Sequence, residues 1–116
     1  MRETASPNFK RHALIPVIVQ HAISKDVLIL AYMNEQAYHL TVESGQAHFW
    51  SRRRNSLWLK GATSGNYQSV VEMRIDCDED AILLLVIPAG PACHTGSPSC
   101  FYRQSYGGDD RPLASQ

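Results

Sequence analysis

The chain has 116 residues, 44% of them hydrophobic, a size and composition that suit one small globular domain. Lys+Arg and Asp+Glu both total 11, which argues against a general polyanion binder, whose affinity rests on a broad basic surface. Nothing approaches the run of about 20 apolar residues that spans a bilayer, so a membrane role is not expected. No export signal is visible, and the cytoplasm is the expected location.

Residues 1–13 are polar and lack an apolar period, and read as a loosely held end. Leu14–Val19 and Val27–Met33 are short runs rich in Val and Ile around Ser24-Lys25-Asp26, the pattern of a hairpin. Asn34 can cap a helix and Gly45 can end it, with the good helix formers Glu35, Gln36 and Ala37 between them. Gln46–Ser51 and Leu57–Lys60 flank Arg52-Arg53-Arg54-Asn55-Ser56 as a second hairpin, and residues 61–66 form a loop. Tyr67–Cys77 and Ala81–Ile87 are the best strand candidates, the second a near-continuous apolar run. Residues 88–98 hold too many prolines and glycines for regular structure, and 104–116 reads as a second loose end. The expected class is α+β, one domain over 14–103 with about one helix and an antiparallel sheet.

Chemistry concentrates in the C-terminal half. Asp76, Asp78 and Asp80 alternate with Cys77 and Glu79. In an extended chain the three aspartates would share one face at steps of roughly 6–7 Å, with Cys77 on the other. Such a row suits a hard divalent cation, and it equally suits a solvated acidic turn. It is no EF-hand, because the sixth and twelfth positions from Asp76 hold Ala81 and Ile87 rather than Gly and Glu.

Cys77, Cys93 and Cys100 are an odd number of thiols, expected to stay reduced in a cytosolic chain. Soft thiolates suit Zn²⁺, and three without a fourth fit an open site better than a closed one. His94 could be a fourth ligand, although neighbours in an extended loop tend to point apart. A buried strand cysteine with two incidental ones is the plain alternative. Between Ser44 and Val71 there is no acid, while Arg52, Arg53, Arg54 and Lys60 are basic. Beside Gly61, Thr63, Ser64 and Gly65 these could hold phosphate oxygens, or form a solvated hairpin tip. A base deaminase would need an H-x-E…P-C-x-x-C pattern, and a thiol redox role a C-x-x-C; the chain has neither.

Three stretches together resemble the phosphoribosyl-AMP cyclohydrolase family: Trp50-Ser51-Arg52 followed by Leu57 to Asn66; Asp76 to Asp80; and Cys93-His94-Thr95-Gly96 with Ser99 to Arg103. Ala62, where many members carry Glu, and Pro98 are departures outside the presumed ligands. The resemblance implies an intertwined homodimer acting on a small nucleotide in histidine biosynthesis, with no nucleic-acid or membrane partner. It implies one Zn²⁺ per subunit on Cys77 of one chain and Cys93 and Cys100 of the other, and Mg²⁺ on Asp76, Asp78 and Asp80. The implied reaction is hydrolysis of the adenine N1–C6 bond by a zinc-activated water. His94 is then the candidate base, since histidine titrates near neutrality. Arg52, Lys60, Thr63 and Ser64 become the candidate substrate contacts. Some relatives carry a second, pyrophosphohydrolase domain, and with the sequence ending at Gln116 that activity is not expected.

Overall fold

A computed structural model describes residues 5–108, so the outer parts of the two expected loose ends, 1–4 and 109–116, lie outside the described residues. The elements run β1 (Ile15–His21), β2 (Val27–Met33), α1 (Glu35–Ser44), β3 (His48–Ser51), β4 (Ser56–Leu59), β5 (Gln68–Ile75) and β6 (Ile82–Pro88). No helix among them is long and apolar enough to cross a membrane.

Local chemistry sets most boundaries. At the first hairpin, Lys25 takes φ 69° while its N–H donates to the His21 carbonyl at 3.0 Å, and β1 and β2 pair antiparallel. Asn34 caps α1, its Oδ1 accepting from the Ala37 N–H at 2.9 Å. Gly45 ends the helix at φ 73°, a left-handed cap that a side chain would strain.

The main sheet has the order β2-β1-β6-β5. Its outer pairs are antiparallel, but β1 and β6 run parallel, so the expected antiparallel sheet is in fact mixed. Two strongly apolar strands took the centre, and the hairpin that delivers β6 fixes its direction; nothing in either strand's own pattern encodes that pairing. β3 and β4 form a separate two-stranded ribbon. It is tied to the main sheet where Ala47 donates its N–H to Gln68 O and accepts from the Lys60 N–H, both at 3.0 Å.

Ile15, Val17 and Val19 of β1, Ala31 and Met33 of β2, and Ile82, Leu84 and Val86 of β6 form the core with Ala37 and Phe49. Within the segment expected to be loose, Phe9 packs against this core, its ring 5.7 Å from that of Tyr38. On the opposite face of the sheet Leu85 is buried, but Ile18 and Leu30, partners across β1 and β2, are 44% and 50% exposed.

Candidate metal centres

β5 stops at Ile75, one residue before the acidic run, so the expected strand alternation does not operate there. Asp76 to Ala81 is a tight connection into β6, closed by Asp76 N–H to Ala81 O and Glu79 N–H to Asp76 O, both at 3.1 Å. Glu79 sits at φ 65°. The turn gathers the carboxylates more closely than a strand would: one oxygen from each of Asp76, Asp78 and Asp80 lies within 4.8 Å of the others. The expected separation of thiol from carboxylates fails for the same reason, since the exposed Cys77 Sγ is 4.0 Å from Asp78 Oδ1.

Like charges this close make the last of the three carboxylates harder to ionise. Hydrogen bonds to the carboxylates of Asp76 and then Asp78 push Asp80 up to about 6. Asp76 shows the opposite balance. Burial raises it, but hydrogen bonds from the Asp80 carboxyl and backbone N–H, then from Asp78 and Ala81, hold it below the usual carboxylate range. One Asp76 oxygen accepts from the N–H groups of Asp80 and Ala81 at 2.9 and 3.0 Å, which fixes its orientation. A pre-aimed cluster of oxygen donors holding a displaceable proton is chemically suited to a hard cation.

The thiols are brought together in part. After β6 the chain turns back on itself, with Ala92 N–H to Pro98 O and Cys93 N–H to Ser97 O at 3.2 Å. It then docks on the β2 edge through Ser99 Oγ to Val27 O (2.6 Å) and Cys100 N–H to Leu28 O (2.7 Å). These anchors bring Cys93 and Cys100 close enough for each thiol to influence the ionisation of the other. The Thr95 hydroxyl donates to Cys93 Sγ at 3.1 Å, and with its backbone contact holds that thiol below its ordinary range. Burial, then the neighbouring Cys93, pushes Cys100 up. Thr95 was visible in the sequence only as a hydroxyl two places after Cys93.

Cys77 does not join them within one chain. Among the described residues, no cluster of three candidate ligands other than the aspartates forms, so His94, which is exposed, does not complete a site with the two thiols either. The two neighbouring thiols are soft donors, which fits Zn²⁺, but a third sulfur would have to come from elsewhere.

The basic segment divides. Thr63 and Ser64 are exposed on the loop after β4, where Ser64 Oγ accepts from the Asn66 N–H at 3.1 Å. Arg52 is exposed at the β3–β4 tip, its guanidinium carbon 3.9 Å from the centre of the Tyr32 ring. Lys60 departs from the picture of a solvated tip. It is 8% exposed, and its Nζ donates to the Ala92 carbonyl at 2.9 Å, beside the thiols.

Residues 29–102 match a family model described as phosphoribosyl-AMP cyclohydrolase. The chain is 57% identical over 103 residues to a protein of that name from Archaeoglobus fulgidus, covering 89% of this chain and 95% of the relative. A protein of the same name from Sphingopyxis alaskensis is 56% identical over 98 residues, 84% of this chain and 78% of its own. A Bacillus subtilis relative, named a histidine biosynthesis bifunctional protein, is 54% identical over 104 residues, 90% of this chain but 50% of its own length.

Proposed function

The chain belongs to the phosphoribosyl-AMP cyclohydrolase family, a hydrolase of histidine biosynthesis acting on a small nucleotide, and from that premise we propose how its residues perform the reaction. In this reading a cytoplasmic homodimer opens the adenine ring of phosphoribosyl-AMP. Water adds to C6, the N1–C6 bond breaks, and a carboxamide and a formimino nitrogen result.

The observation that carries the reading is the split of the thiols. Cys93 and Cys100 are neighbours in one loop, while Cys77 stands exposed beside the aspartates and, among the described residues, does not join them in its own chain. Two copies, each lending Cys77 to the other's Cys93 and Cys100, satisfy that arrangement. The exposed apolar side chains of Ile18 and Leu30 give such a dimer surface to bury. Zinc held by three thiolates would supply an acidified water for attack on C6.

The remaining work falls to side chains. Thr95, donating to the Cys93 sulfur at 3.1 Å, eases ionisation of that thiol. His94, exposed and next to Cys93, takes the proton lost by the attacking water at a ring nitrogen. Asp76, Asp78 and Asp80 would hold Mg²⁺, which would help position the substrate or its phosphates. Arg52, Thr63 and Ser64, all exposed, would meet phosphate oxygens. Lys60 is less suited to that role, because its ammonium is buried on Ala92.

The direct test supplies phosphoribosyl-AMP with Zn²⁺ and Mg²⁺ and follows the ultraviolet change of ring opening, with and without chelator. Turnover that chelator abolishes and zinc restores is the expected result. Turnover insensitive to metal removal would refute the metal mechanism.

A further inference from the structure

A lysine is almost never buried without a charged partner, because desolvating an ammonium costs several kcal/mol or more unless something compensates. Lys60 is buried, yet among the described residues no carboxylate pairs with its ammonium, whose one hydrogen bond is to the neutral carbonyl of Ala92. What lies near it is the thiol loop: its Nζ sits 2.9 Å from the carbonyl of Ala92, the residue before Cys93, and the Trp58 ring, 5.8 Å away, is its other neighbour. A solvated phosphate contact would not be folded in this way.

The hydrogen bond to Ala92 also matters for position. The peptide unit joining Ala92 to Cys93 is held at both ends, its carbonyl by Lys60 and its N–H by Ser97 O at 3.2 Å. That fixes the backbone from which the Cys93 sulfur projects. Ser97 lies in the same loop, whereas Lys60 follows β4 on a different element, so only Lys60 ties the loop to the β3–β4 ribbon through this peptide.

We propose that Lys60 is a positioning residue for the zinc site, its buried ammonium clamping the peptide that carries Cys93 and balancing the charge of the Cys93 and Cys100 thiolates. The inference rests on the reading of these cysteines as zinc ligands. Zn²⁺ with three thiolates carries a net charge of −1, and a buried cation beside it brings the assembly to neutrality. In that state the ammonium has the partner it otherwise lacks.

The test is chelator competition on the zinc-loaded native protein and on Lys60→Met, Lys60→Gln and Lys60→Arg, with Co²⁺ as a spectroscopic stand-in. Losing a residue that supports ligands without touching the metal typically weakens affinity by about 10–100-fold. Lys60→Met is expected to fall in that range and to shift the thiolate-to-Co²⁺ charge-transfer band, with Lys60→Arg restoring both. A lysine needed only for folding would leave the band of the folded variant in place. Native-like affinity and an unmoved band in Lys60→Met overturn the proposal. If that variant does not fold, Lys60→Gln, which keeps a donor for the Ala92 carbonyl, decides by the same criteria. If neither folds, the native protein decides: its only buried lysine should show an ammonium resonance that moves on zinc loading, and a stationary resonance overturns the proposal. A native protein that binds no zinc at its cysteines fails at the earlier step, and the two failures are thereby distinct.

Discussion

The acidic turn makes a quantitative prediction about pH. Asp80 holds its proton to about 6 because Asp76 and Asp78 crowd it, so a cation entering the cluster must displace that proton. With the site competent only when Asp80 is ionised, apparent affinity scales with the ionised fraction. That fraction is near one at pH 7.5 and about one in eleven at pH 5, so Mg²⁺ affinity should fall roughly tenfold between them. The stability effect has the matching sign. A carboxyl whose folded value lies above the ordinary 3.8 lends stability below about pH 4 that is lost as pH rises through about 6. Asp76, held low, acts the other way and favours the fold above about pH 4. Mg²⁺ should therefore raise the thermal midpoint more at pH 7.5 than at pH 5. Calorimetric titration in buffers of different ionisation enthalpy counts the displaced proton, about one per cation at pH 5 and almost none at pH 7.5. Equal affinities at the two pH values, or no proton release at the lower one, would show that Asp80 is not a ligand.

His94→Ala should lower kcat by about a hundredfold or more while zinc content, read by metal analysis, is unchanged; near-normal turnover removes His94 from the proton transfer. Cys77→Ser and Cys100→Ser should each abolish zinc-dependent activity alone, and mixing the two chains should restore part of it, because one composite site per mixed dimer keeps all three thiols. No recovery after verified subunit exchange would argue against a shared site. Gln68 is fully buried with neither side-chain polar atom hydrogen-bonded, so Gln68→Met should stabilise the fold by about 1–2 kcal/mol in urea unfolding.

The helix and hairpins were legible because their determinants are local. Asn34 and Gly45 act within one turn of the residues they cap, and Val27–Met33 needs only its own apolar run to be read as a strand. What escaped was set by pairing between distant segments. β1 and β6 are separated by the whole middle of the chain, and their parallel register, Val17 opposite Ile82, is a property of neither alone. β3 likewise begins at His48 rather than Gln46 because Gln46 and Ala47 are recruited to β5.

The candidate site divides along the same line. The aspartates do lie together, but for a reason the structure replaces. A turn, not strand alternation, brings them within 4.8 Å, and it places Cys77 beside them instead of behind them. Residue types alone made the carboxylates look like a cation site in either geometry, which is why an extended strand and a tight turn single out the same three residues. Lys60 shows the converse. Its neighbours in sequence are basic or hydroxylic, so composition assigned it to solvent and phosphate, and only the return of the chain through Ala92, 32 residues later, buries it against the thiols. A positive charge is read from sequence as a surface property because burial is usually too costly. Where the fold buries one anyway, the compensating negative charge has to be sought among groups far away in the chain, and for Lys60 the groups proposed to supply it, among the described residues, are the two sulfurs of the loop it holds.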